Sequence, residues 1–178
     1  MTILPKNKEQ RVAVFIDVQN LYHSAKHLYQ SRVNFREILR TAVSSRKLIR
    51  AFAYVIRTKT GEERAFFDAL TNIGIETRIK DLQEYYGGLK KADWDVGLAV
   101  DAIKISDGVD TIVIVSGDGD YVPLVEYLQN HGKLVEAVAF GRSTSTKLRE
   151  TVDEFIDLEG SPDKYLLKAP RWPIRIIK

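Results

Sequence analysis

The stretch VIVSGDGDYVPL, residues 113–124, decides the fold. An apolar, β-branched run reaches Ser116 and Gly117, and then Asp118 and Asp120 follow with only Gly119 between them. A short apolar run that stops at turn residues reads as a strand buried on both faces. Pro123 is tolerated in the first turn of a helix, and Gly132 suits the position just past its end, so residues 121–132 read as a helix. The stretch is therefore strand, turn, helix, with two carboxylates at the carboxyl end of the strand. Like charges so close repel. Helix capping, solvent or a metal ion must compensate.

The same alternation extends in both directions. RVAVFIDVQN (11–20) gives a buried parallel strand ending at Asp17. NLYHSAKHLYQS (20–31) places Leu21, Ala25 and Leu28 at helical spacing, and Asn34 caps a short helix through FREILRTAV (35–43). LIRAFAYVI (48–56) is a second strand, and GEERAFFDALTNIG (61–74) a helix closed by Gly74. IETRIKDLQ (75–83) is a third strand, YYGGLKKA (85–92) a loop and DWDVGLAVDAIKIS (93–106) a helix. KLVEAVAF (133–140) is a fifth strand, and STSTKLRETVDEF (143–155) a last helix. Strands alternating with helices predict an α/β fold: helices on both faces of a mostly parallel sheet.

Composition sets the outer bounds. At 44% hydrophobic and 29% charged, the 178 residues are globular in character and suit one domain. With no cysteine there is neither a disulfide framework nor a thiolate metal site. No signal-peptide h-region and no transmembrane-length apolar run are evident, so no membrane role is expected and a cytoplasmic location is. A net charge of +3 permits a polyanionic partner without demanding one. The style changes after Gly160. Residues 161–178 read as a basic, proline-containing extension, and 1–160 as the domain proper. The extension's apolar residues are too many for a solvated linker. It is expected to pack on its own domain, to meet a partner subunit in a homodimer, or to help bind nucleic acid.

Ligands in open α/β sheets sit at the carboxyl ends of the strands. Asp17 ends the first strand, Asp118 ends the fourth with Asp120 just beyond, and Asp95 lies in the first turn of a helix. If the first and fourth strands are neighbours at the switch point, these carboxylates share one crevice. All-oxygen ligands favour Mg²⁺ or Mn²⁺ over zinc. Each aspartate also has a plainer reading: Asp120 as a helix N-cap, Asp95 as a helix-dipole partner, the others as turn residues. Asp101, six residues beyond Asp95, points elsewhere and reads as a structural partner. His23 and His27 have the i, i+4 spacing of a metal pair, but without an HExxH arrangement they read as a solvated face or an RNA contact. Lys90 and Lys91 are either an exposed charged loop or holders of phosphate beside the acids. No GxGxxG follows the first strand, and neither a P-loop nor a GxSxG elbow is present.

FIDVQNLY, KKADWDVGLAVDAI and IVSGDGDYVPLVEYLQNHGKLVEAVAF together resemble the NYN domain, the LabA-like branch of the PIN-like nucleases. The resemblance covers about Arg11 to Leu158 and excludes the tail. It implies a three-layer α/β/α sandwich with about five or six strands, and Mg²⁺- or Mn²⁺-dependent cleavage of RNA. It makes Asp17 and Asn20 the D-x-x-N pair, Asp95 the acid of the K…DV motif, and Asp118 and Asp120 those of the SGDxD motif. Gly119 stands where serine is commoner. The implied site has Asp17, Asp95, Asp118 and Asp120 as metal ligands, Asn20 orienting a ligand or water, and Lys90 and Lys91 on backbone phosphates. A non-catalytic RNA- or protein-binding module on the same fold, or a metal-dependent phosphatase, is the competing expectation.

Overall fold

The computed structural model describes residues 6–58, 63–88 and 90–168, without the side chains of Glu84, Lys90 and Lys91. Six parallel-paired strands form the central sheet: β1 (Arg11–Asp17), β3 (Lys47–Arg57), β4 (Glu76–Asp81), β7 (Thr111–Val115), β8 (Leu134–Ala139) and β9 (Glu154–Asp157). Their order is β4-β3-β1-β7-β8-β9. Two small antiparallel pairs accompany it: β2 (Arg32–Val33) with β10 (Leu166–Leu167), and β5 (Gln83–Glu84) with β6 (Lys90–Lys91). The helices are α1 (Val18–Tyr29), α2 (Phe35–Val43), α3 (Arg64–Asn72), α4 (Asp95–Ser106), α5 (Val122–Asn130), α6 (Thr146–Thr151) and α7 (Pro162–Tyr165).

Alternation within the strands makes three layers. Val12, Val14 and Ile16 of β1 face one side, where they pack with Leu21 and Ala25 of α1, Ile38 of α2 and Leu70 of α3. Ala13 and Phe15 face the other, against Leu98 of α4, Val125 of α5 and Leu148 of α6. Both faces of β1 and β7 are covered, which is why those strands read as unbroken apolar runs. The result is the expected α/β/α sandwich, with the sheet at the upper end of the expected strand count.

The order of strands puts β1 beside β7, with the chain winding outward in opposite directions from them. Their register is tied at the amino ends. The Arg11 backbone and guanidinium N–H groups donate to the Asp110 carboxylate at 2.8 and 2.7 Å, and Asp110 N–H returns a bond to the Arg11 carbonyl. Hydrogen bonds from Arg11 hold the Asp110 carboxyl down at about 2. Val12 then opposes Thr111, and Ile16 opposes Val115, so Asp17 emerges level with Ser116.

Local signals behaved as their chemistry requires. Asp17 accepts from Asn20 N–H to cap α1, and Asn34 accepts from Glu37 N–H to cap α2. Gly74, with φ of 89°, follows α3 in the left-handed region that glycine alone adopts freely. Two expectations differ. The helix expected over 143–155 ends at Thr151, and Glu154–Asp157 becomes the edge strand β9. The loop expected over 85–92 partly pairs, through β5 and β6. Residues 161–168 pack on the domain: Tyr165 is buried, its hydroxyl lies 3.0 Å from that of Thr41, and Leu166 pairs with Val33. Trp172, Ile174, Ile176 and Ile177 lie outside the described residues. Among the described residues, no helix is long and apolar enough to cross a membrane.

One buried ion pair fastens the sheet to the α2 side. The Arg46 guanidinium donates to both carboxylate oxygens of Glu136 on β8, at 2.6 and 2.8 Å, and to the carbonyls of Ala42 and Val43. The side chains are 1% and 6% exposed. Removing one partner strands a buried charge, which costs about 3–5 kcal/mol. Arg46→Met should lose about 3 kcal/mol, the lower end of that range, because Lys6 Nζ stands 3.7 Å from Glu136. Urea unfolding of both proteins measures it.

Candidate metal centre

Four aspartates gather where β1 and β7 end. Asp17 follows the buried run of β1 and is itself buried. One of its oxygens caps α1 through Asn20 N–H at 3.0 Å. The other accepts from the Ser116 hydroxyl at 3.2 Å and lies 3.4 Å from the Tyr121 hydroxyl. Ser116 is fully buried, and its oxygen accepts the Asp118 N–H at 3.2 Å. Asp118 in turn caps a 3-10 turn, residues Gly119–Tyr121, by accepting from Asp120 N–H at 2.9 Å. The backbone thus carries each acid to a fixed place before any ligand is considered.

Asp95 arrives on α4, and Trp94 fixes the start of that helix. The Trp94 indole N–H donates to the Val55 carbonyl on β3 at 2.9 Å, and its ring meets Tyr54 edge-on. Gly97 makes room for that ring: a Cβ there would stand 2.6 Å from it. The Tyr121 hydroxyl closes the arrangement, 3.1 Å from Asp95 and 3.4 Å from Asp17. One phenolic proton lies between two carboxylates.

The glycines have a packing role. A Cβ on Gly117 would meet Thr144 Oγ1 at 2.8 Å, and one on Gly119 would meet Ser145 Oγ at 2.7 Å. Their absent side chains let the loop 143–145 close against the acid turn, and Ser145 N–H donates to the Gly117 carbonyl at 2.9 Å. A serine at 119 would require the Ser145 side chain to give way.

Asp95, Asp118 and Asp120 each offer an oxygen, and these atoms lie within 4.8 Å of one another. Asp17 stands beside this group, joined to it through Ser116 and Tyr121. Among the described residues, no basic side chain forms an ion pair with any of the four. Burial pushes the Asp17 carboxyl up, and the charges of Asp95 and Asp118 add to that; burial raises Asp95 as well, with Asp118, Asp93 and Asp120 adding. Tyr121 is raised by burial and by Asp17 and Asp95, so its proton is firmly held. An all-carboxylate group with unmatched negative charge fits a hard divalent cation.

Asn20 does not face this group with its carbonyl oxygen. That atom accepts the Gly117 N–H at 3.0 Å, tying α1 to the turn that carries Asp118. Asp101 is structural, as its spacing implied: it accepts from the Tyr54 hydroxyl at 3.0 Å and pairs with Arg78. The side chains of Lys90 and Lys91 lie outside the described residues; their backbone forms β6, which leads into α4. Ser116 and Tyr121 are the positions that motif reasoning passed over. Their only signal was adjacency to the acids within SGDGDY.

The sheet order and the acid-bearing strand ends define a PIN-like α/β protein. The NYN domain model matches residues 11–159, and the chain belongs to that family. It is 26% identical over 159 residues, 85% of each chain, to the low amplitude and bright protein LabA of Synechococcus elongatus. The crystal structure of a Vibrio parahaemolyticus protein of unknown function superposes with a TM-score of 0.82 at 32% identity. That match covers 92% of this chain and all of the other. NYN domains are typically nucleases, which at the coarse level supports a hydrolase with an RNA-related role.

Two stability outcomes follow for protein held in chelator. Two charges about 5 Å apart repel by roughly 1–3 kcal/mol at effective dielectric constants of about 80 to 20. Asp118→Asn relieves part of this and keeps an oxygen for the Asp120 cap, so it should be about 1 kcal/mol more stable than wild type. It should also gain much less from added Mn²⁺. The pH dependence runs the same way. The folded pKa of Asp17 is raised, so its contribution is full below the ordinary carboxylate range and is lost as pH climbs through the raised value. Asp17→Asn should therefore gain on wild type as pH climbs above the ordinary carboxylate value of about 4, read from urea midpoints.

Proposed function

We propose that this protein is a metal-dependent ribonuclease that cleaves RNA phosphodiester bonds with Mg²⁺ or Mn²⁺. The observation that carries the reading is the convergence of Asp95, Asp118 and Asp120 on one point, with Asp17 beside them, at the switch point of the sheet. Bound there, the ion supplies charge neutralisation at the scissile phosphate and a more acidic water.

The chain's own residues hold that chemistry in place. Asp95, Asp118 and Asp120 hold the ion, and Asp17 adds a fourth negative charge behind them. The Tyr121 hydroxyl keeps Asp95 and Asp17 at a fixed separation, and Ser116 links Asp17 to the Asp118 backbone. Asn20 acts as a positioning residue by anchoring Gly117, the residue before Asp118. Lys90 and Lys91, five and four residues before Asp95 in the sequence, are assigned to backbone phosphates, which adds affinity without sequence preference.

The test is an assay of the full chain against single-stranded RNA, structured RNA, DNA and a generic phosphate monoester, with Mn²⁺ and with chelator. RNA cleavage should require the metal. Asp118→Asn and Asp17→Asn should fall to the chelated level. Wild-type turnover in both variants would show the assigned centre to be wrong. Monoester hydrolysis without RNA cleavage would make the protein a phosphatase, and RNA binding without turnover would make it a regulator.

A further inference from the structure

The two histidines of α1 have no part in the acid centre, yet they lie on the helix that begins at it. Asp17 is the N-cap of α1, and Gln19, Tyr22, His23, Lys26, His27 and Gln30 follow along its exposed side. His23, Lys26, His27 and Gln30 line an open depression. Tyr22 is 48% exposed although its ring is large and apolar. Lys26 Nζ stands 5.6 Å from the centroid of that ring, and the His23 imidazole meets it edge-on at 5.5 Å.

The charge of this segment is one-sided. From Val18 to Arg36 the chain has Lys26, Arg32, Arg36 and two histidines, and no aspartate or glutamate. Its +3 formal charge equals the net charge of the whole protein. An ordinary solvated helix face mixes both signs. Here the face of α1 has Lys26, two histidines, an exposed aromatic ring and no acid, with Arg32 and Arg36 following just past the helix, and it runs on from the residue that caps the helix at the acid centre. Cations that follow a phosphate backbone, together with a ring on which an unpaired base can lie, are the elements of a single-strand binding surface. Bases in a duplex are already stacked and leave no free face for Tyr22.

We infer that the outer face of α1 is the track along which single-stranded RNA leaves the acid centre. Tyr22 stacks an unpaired base, Lys26 neutralises a phosphate, and His23 and His27 hydrogen-bond the sugar–phosphate chain. The 12 residues of α1 span about 18 Å, a length of a few nucleotides. This rests on the ribonuclease reading for the direction of the strand, and on the chemistry of α1 for its binding.

The experiment uses the full chain in chelator, with a fluorescein-labelled single-stranded RNA of about twelve nucleotides, a length within the usual single-strand site range. Fluorescence anisotropy gives affinity. Hydrolysis of bis(p-nitrophenyl) phosphate with Mn²⁺ reports the acid centre alone. Tyr22→Ala should weaken single-strand binding about tenfold, the scale of one lost base stack, and leave blunt duplex binding unchanged. Tyr22→Phe, which keeps the ring, should bind as wild type does. Lys26→Ala should weaken binding and lower the salt slope by about 0.7. All three should hydrolyse the small diester at the wild-type rate. Equal single-strand affinity in wild type, Tyr22→Ala and Lys26→Ala would overturn the track, as would equal weakening of duplex and single strand by Tyr22→Ala. If the variants weaken RNA binding but wild type hydrolyses neither RNA nor the diester, the track stands and the ribonuclease reading fails.

Discussion

Burial of the Asp17 carboxylate at the end of β1 is the constraint around which the site is arranged. A carboxylate taken out of water must find hydrogen bonds or counter-charge, or give up its ionisation. Asp17 has the first: Asn20 N–H on one oxygen and Ser116 on the other, with Tyr121 close by. Each of those partners belongs to an element that carries another part of the centre. Asn20 opens α1, Ser116 ends the β7 run, and Tyr121 leads into α5. Satisfying one buried group therefore sets where three chain segments lie.

The surroundings make that arrangement stiff. Trp94 locks the start of α4 to β3, and the missing side chain of Gly97 lets it do so. Gly117 and Gly119 let the 143–145 loop press on the acid turn. Stiffness matters because the carboxylates repel one another, and a loose turn would swing them apart into solvent. Stability drawn from the two apolar layers keeps them together. Local destabilisation at a functional centre, offset elsewhere in the fold, is a common pattern.

Charge is divided between two neighbouring regions. The strand ends gather aspartates without basic partners among the described residues, while the segment 18–36 that opens with α1 leads away with three cations and no acid. A polyanion is repelled by the first region unless a cation intervenes, and attracted by the second. In the proposed ribonuclease, a substrate strand would be held beside the centre by one region and admitted to it only with metal in place. The modest overall charge conceals this division, because +3 is a sum over regions of opposite sign.

Much of this was readable in the chain. Val12–Ile16 and Ile112–Val115 could only be strands covered on both faces, since continuous β-branched and aromatic runs have no polar side to show water. Asn34 announced a helix start, because capping is settled within three residues. With the strand ends fixed, the acids at 17, 95, 118 and 120 could be proposed as neighbours. Other features depend on partners far away in sequence. Residues 154–155 continue a helical pattern, yet they open β9 because β8 presents an edge to pair with. Arg46 looks like a surface cation until Glu136, ninety residues on, is placed against it. Tyr121 reads as an ordinary helix-start aromatic, and only the folded chain brings its hydroxyl between Asp17 and Asp95. Local periodicity and capping determined the elements and their ends. Which polar groups share a buried space was decided by the tertiary fold, because desolvation and hydrogen bonding act on whatever the packed strands bring within reach.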